Sequence, residues 1–348
     1  MADIYENAFF TIAATCAANG DDGLRPFRDR FKALRLGSSG FFVRECIEDD
    51  SRTYGTSIKK HWPLISRGWA FQEGKLAPRT LRFSCHGVIW DYRTTRVEEE
   101  KQRFGSNLDD DTIDLLPFFS FENSTSDPEK AWQNTVNQYS KLDLTYRTDT
   151  LPAIAALAQR MARLRRNDTY LAGMWRSTLL SDIRWRTLGL RKTLERPRQE
   201  SALPTWSWAT KQGVSYNNDQ HPLHCVEILS LDYTLVGPAE IGAIEDAILT
   251  IRGPTLPLQV HVSSSRDGFE FHISISMTYW LEPKIMFAPD YGDSPEFYLN
   301  GNTPFLALII GSDGSELEGL ILRQIGVYTN ALAGFVCMIG VWKRDQDY

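Results

Sequence analysis

Between His61 and Arg93 the chain sets Arg67, Gln72, Glu73, Arg79 and Asp91 among the apolar Trp69, Phe71, Leu76, Leu81, Phe83, Ile89 and Trp90. Polar groups in so apolar a stretch cost free energy unless they are paired. Two arrangements meet that requirement. Glu73 pairs with Arg67 or Arg79 and stitches a helix to the following strand, or these groups face a ligand site. In the second arrangement Trp69 and Trp90 offer flat faces for a planar ligand, although the same spacings suit core packing. Trp206 and Trp208 flank Ser207. On a strand both indoles would face one side, as packing against a helical lobe or as a ligand wall.

Two further clusters carry less. His221-Pro-Leu-His224-Cys225 has no second ligand pair at a standard zinc spacing, and Cys85-His86 is a lone pair at a turn. Gly-x-Ser-x-Gly, Gly-x-x-x-x-Gly-Lys-Ser/Thr and Gly-x-Gly-x-x-Gly do not occur, which removes the common hydrolase, NTPase and dinucleotide signatures. No metal site and no cofactor are expected.

The elements that must position these groups are set by periodicity and breakers. A helical pattern begins near Ser66 and ends at Pro78. Arg79–Cys85 and Gly87–Arg93 then read as a hairpin. Ile4, Tyr5, Ala8, Phe9, Ile12 and Ala13 form a helical stripe near the N-terminus, with nothing before it to cover the stripe. Thr94 to Pro128 is acidic, carries Asp109-Asp-Asp111, and is expected to be a long loop. Helices come next over Pro128–Leu142, Leu151–Leu164 and Leu179–Trp185. Pro152 suits the first turn of the second, and Arg160, Arg163, Arg165 and Arg166 crowd its negative dipole end. From Pro204 onward short apolar runs alternate with Gly, Pro, Asn and Asp, the cadence of an antiparallel β-lobe.

A chain of 348 residues with 24% charged residues can bury a sizeable core, and two lobes are expected. The net charge of -6 argues against a general nucleic-acid partner. Five scattered cysteines without a Cys-x-x-Cys fit a reducing compartment. No apolar run approaches the roughly 20 residues of a membrane span, and no signal peptide is read, so a cytoplasmic location is expected.

With these segments in hand the chain resembles the fungal heterokaryon-incompatibility (HET) family. Pro63-Leu-Ile-Ser-Arg-Gly-Trp-Ala-Phe-Gln-Glu73 is similar to the family's Arg-Gly-Trp-x-x-Gln-Glu block. Leu76-Ala-Pro-Arg-Thr-Leu-Arg-Phe83 and Ile89-Trp-Asp-Tyr92 are similar to the family's segments just downstream of that block. Met1 to Ala14 resembles a helix and strand from the middle of the family's domain. Asp149–Ala156, Tyr170–Trp175 and Leu203–Ala209 resemble phrases that trail it. The family's opening Leu-Ser-Tyr-x-Trp-Gly strand and its Trp-x-Asp-x-x-Cys-Ile-Asn-Gln block have no counterpart here.

The resemblance implies an α+β chain. It would hold the C-terminal part of an α/β HET (Toll/interleukin-receptor-like) domain over 1–93, an acidic loop and helical region over 94–190, and a β-rich lobe over 191–348. It implies fungal allorecognition (self/non-self recognition) and programmed cell death, carried mainly by a protein partner. The alternative is an enzyme on an NAD-like nucleotide or a specialised-metabolism small molecule. In that reading Glu73 is the catalytic carboxylate, stabilising positive charge at an anomeric carbon. Trp69, Gln72, Arg79, Trp90, Trp206 and Trp208 would then line the pocket.

Overall fold

The computed structural model describes residues 2–24, 34–38, 40–43, 62–84, 87–92, 95–98, 127–187, 203–216, 226–238, 243–265, 268–275, 284–289, 305–312, 316–324 and 330–339. His86, His221, His224 and Cys225, and most of the acidic stretch after Thr94, lie outside them. The chain divides into two compact units, 1–131 with 141–166, and 132–140 with 167–348.

The first unit opens with the short helix α1 (Ala2–Glu6) and the strand β1 (Thr11–Ala13), then the two-residue strands β2 (Leu34–Arg35) and β3 (Phe42–Val43). The helical stripe expected across Ile4–Ala13 is therefore split. Its second half is extended because it pairs in parallel with a strand far along the chain. That strand is reached through the helix α2 (Gly68–Leu76) and is β4 (Arg79–Ser84), with Thr11 opposite Thr80 and Ala13 opposite Arg82. A parallel pair needs such a crossover. β4 turns back into β5 (Gly87–Tyr92) and then β6 (Thr95–Glu98), both antiparallel, giving the order β1-β4-β5-β6. The expected hairpin is present; β6 occupies the first residues of the supposed acidic loop.

α2 has no side-chain cap at Arg67. Its first amide, on Gly68, instead donates to the Asp143 carbonyl at 2.8 Å, while the Asp143 amide donates to the Ser66 carbonyl at 2.7 Å. The helix stops where Pro78 forces Ala77 into an extended conformation (ψ 126°).

The helix α3 (Pro128–Tyr139) runs from one unit into the other, and α4 (Ala155–Leu164) belongs to the first. α4 buries Ala155, Ala158 and Met161 of the face its periodicity predicts, and Leu157 beside them, whereas Leu164 at its end is exposed.

Lys75, near the end of α2, is buried with its ammonium 5.5 Å over the Phe71 ring. Burial, and secondarily the Arg82 charge, lowers its pKa from 10.5 to about 8. Between those two values the unfolded chain binds more protons than the folded one, so stability rises with pH across that window. Below it the folded state carries the cost of a desolvated charge. Lys75→Met is expected to raise the unfolding free energy at pH 7 by about 1–3 kcal/mol and to flatten the rise above pH 8. Urea melts across that range measure both.

The second unit contains the tight hairpin β7 (Tyr170–Leu171) and β8 (Met174–Trp175), the one-turn helix α5 (Leu179–Asp182), and the short pair β9 (Arg186–Thr187) and β10 (Val214–Ser215). The long strands come after them as β11 (Glu227–Leu235), β12 (Ile244–Arg252), β13 (Thr255–Ser265), β14 (Gly268–Ile275), β15 (Lys284–Pro289), β16 (Phe305–Ser312), β17 (Glu316–Gln324) and β18 (Asn330–Ile339). β11 and β12 form a separate antiparallel pair. The others make one antiparallel sheet in the order β14-β13-β16-β17-β18-β15. The chain is thus α+β, and its later strands antiparallel as their alternation predicts.

Candidate functional site

Strand β4 buries Thr80, Arg82 and Ser84 and leaves Arg79, Leu81 and Phe83 half-exposed, the reverse of ordinary amphipathic alternation. A buried polar face must be internally satisfied. Arg82 donates through Nε to the Asp91 carboxylate on β5, and the Ser84 hydroxyl donates to the Gly87 carbonyl at 2.8 Å. The Arg82 and Asp91 side chains are 7% and 12% exposed, so this is a desolvated ion pair rather than a surface one.

α2 covers this face. A Cβ built on Gly74 would lie 3.4 Å from Arg82 Nη2, so the guanidinium packs against the helix where a side chain is missing. One residue earlier on α2 stands Glu73. Its carboxylate accepts a hydrogen bond from the Tyr5 hydroxyl on α1. Partial burial first, and then that bond and the Glu73 charge, push the phenol above its usual 10.0. Tyr5, Thr11, Phe71, Glu73, Thr80 and Arg82 are among the residues around a cleft of about 70 Å³, built wholly from the first unit.

The pairing of Glu73 with Arg67 or Arg79 does not form. Among the described residues Glu73 makes no ion pair. Arg79 turns the other way, since its position on β4 alternates away from Arg82. Its guanidinium donates to the Phe9 carbonyl at 3.0 Å and lies 5.0 Å from the Phe9 ring and 5.3 Å from the Tyr92 ring.

The other residues expected to line a pocket are engaged in structure. Gln72 Oε1 accepts the Ala156 amide at 2.8 Å and thereby caps α4, which has no side-chain cap of its own at Ile154. Trp69 Nε1 donates to Asp149 at 3.1 Å. Trp90 packs beside Phe10 at 6.3 Å between ring centroids. Trp206 and Trp208 belong to the second unit and are not on a strand. Trp208 begins a 3-10 turn capped by Ser207, is fully buried, and donates to the Gly173 carbonyl at 2.7 Å. The Trp206 carbonyl accepts the Trp185 indole N–H at 2.8 Å. The two indoles therefore do not share a strand face: Trp206 lies in a turn, and Trp208 opens the 3-10 helix that follows it.

Tyr5, Thr11, Thr80 and Arg82 fall inside the segments Met1–Ala14 and Leu76–Phe83, but nothing in those phrases marks them as site residues. One signal is available for two of them: Thr80, Arg82 and Ser84 alternate with Leu81 and Phe83, which marks β4 as a strand with a polar side to be accounted for. Among the described residues no group of acidic, histidine or cysteine side chains is arranged to hold a metal ion, and no helix is long and apolar enough to cross a membrane. No family model, curated protein or solved structure compared with the chain matches it.

Proposed function

We propose that this chain is a heterokaryon-incompatibility-type protein of fungal self/non-self recognition and regulated cell death, acting mainly by binding another protein. The supporting observation is the outer edge of β1. Among the described residues β1 pairs only with β4, leaving one edge of its backbone open. Around that edge Phe9 is 78% exposed, Ile4 72% and Ile12 51%. Open strand edges flanked by apolar side chains are where an extended segment of a partner adds to a sheet.

The second reading, an enzyme on a nucleotide or other small molecule, is favoured by the Glu73 carboxylate, which stands at a cleft and forms no ion pair among the described residues. Against it, the cleft of about 70 Å³ is well below the roughly 300 Å³ at which sites for drug-sized ligands begin.

Expression of the chain in a fungal host, with growth arrest as readout, separates the two. Phe9→Asp combined with Ile12→Lys is expected to abolish the arrest, and Glu73→Ala to leave it intact. Arrest that survives the double change but disappears with Glu73→Ala, accompanied by turnover of added NAD, would transfer the function to the cleft.

A further inference from the structure

The cleft beside Glu73 contains two opposite charges that do not meet. Arg82 is 5% exposed, and Asp91 engages only its Nε. Its terminal nitrogens have no hydrogen-bond partner among the described residues, although they pack over Gly74 and the side chain borders the cleft. Glu73, the adjacent helix position, receives a hydrogen bond from Tyr5 and forms no ion pair with Arg82. Thr11 and Thr80, paired across β1 and β4, add hydroxyls to the same wall. A guanidinium whose terminal donors have no partner among the described residues can hold an anionic group that enters the cleft.

We propose that this cleft is a binding site for a small zwitterion, a free α-amino acid of the size of glycine or alanine. The ligand carboxylate accepts from the terminal nitrogens of Arg82, the geometry that a guanidinium fork favours. The ligand ammonium donates to the Glu73 oxygens left over by Tyr5. Neither half suffices alone: Glu73 repels a simple anion and Arg82 a simple cation, so selectivity lies in carrying both charges on neighbouring carbons. A volume of about 70 Å³ is about two water molecules' share of the liquid, room for a ligand of very few non-hydrogen atoms and none for a long side chain. The proposal is independent of the partner surface at β1, because it concerns the face of β4 beneath α2.

Calorimetric titration of the full chain tests it with glycine, leucine, acetate and methylammonium as probes. Glycine is expected to saturate with a dissociation constant on the order of 1 mM, with acetate, methylammonium and leucine each at least about tenfold weaker. Glu73→Gln, which removes the charge and keeps the shape, should weaken glycine about tenfold or more and leave acetate no weaker. Gly74→Ala suits a helix interior and places a methyl group against Arg82, so it keeps the fold and should also weaken glycine several-fold. Circular dichroism confirms that each variant is folded. Glycine that fails to saturate by roughly 50 mM, glycine no tighter than acetate, or a folded Gly74→Ala that binds like the parent would each overturn the proposal.

Discussion

Glu318→Gln is expected to lower the unfolding free energy by about 3–5 kcal/mol, a large share of the roughly 5–15 kcal/mol that holds an ordinary domain folded. Glu318 lies on β17, an inner strand of the six-stranded sheet, and its carboxylate pairs with the guanidinium of Arg184, just after α5. The Arg184 and Glu318 side chains are 3% and 5% exposed. Glutamine keeps the volume and removes the charge, so Arg184 stays desolvated with its counter-ion gone. Both residues lie in the second unit, so the loss is read on that unit's own unfolding transition. The paired replacement Arg184→Met with Glu318→Leu should recover most of the loss, because removing both charges removes the desolvation cost as well. Urea melts of the parent, the single and the double variant measure this. A single variant within about 1 kcal/mol of the parent would show that the pair is solvated and does not hold the sheet.

Gly173→Ala should cost a comparable amount, about 3–5 kcal/mol, through two causes that act together. Gly173 sits in the β7–β8 hairpin at φ 86°, next to Ala172 at φ 49°. Positive φ at both central residues is what a two-residue hairpin of matching twist demands, and glycine meets the demand without steric cost. Crowding is the second cause. A Cβ on Gly173 would lie 2.7 Å from Trp208 Nε1 and 2.9 Å from its Cε2, both parts of a rigid ring that cannot swing aside. That indole and the Trp132 indole both donate to the Gly173 carbonyl, at 2.7 and 3.0 Å, so the turn is the acceptor around which two buried tryptophans are fixed. Displacing the ring also disturbs its edge-on contact with Tyr139 at 6.0 Å. Thermal melts with tryptophan fluorescence report both the lost stability and the changed indole environment. Ala172→Gly is the control. It relaxes the other positive φ without adding an atom, and it should be neutral or mildly stabilising.

How much of the fold is legible along the chain depends on the range of the interactions involved. α4 is legible because its apolar residues recur at helical spacing, with Pro152 at its start and arginines crowding its end. The β4–β5 hairpin is legible because its strands are neighbours in the chain. The antiparallel strands from β11 onward are legible because they coincide with short apolar runs set off by turn residues. The split between α1 and β1 is not. Its residues fit a helical stripe, and only pairing with β4, nearly seventy positions away, makes Thr11–Ala13 extended. Trp206 and Trp208 mislead for a related reason: alternation over three residues also fits a turn entering a helix, and the Gly173 carbonyl decides which.

The candidate site divides in the same way. From composition and order alone Glu73 stands out as a carboxylate in apolar company, and Arg79 as a counter-ion close by in the chain. Both lie in the described first unit, yet the register of β4 turns Arg79 toward Phe9 and Tyr92 and Arg82 toward α2. Successive side chains of a strand face opposite sides. The residues of β4 are thus assigned in alternation to two surfaces, and local sequence does not say which surface meets Glu73. What the amino-acid order determined was which short segments are helix, strand or turn, and which of them carry charge into apolar ground. Which charges meet, and which are left facing a cleft, was decided only when distant segments packed, because desolvation and pairing act through space rather than along the chain.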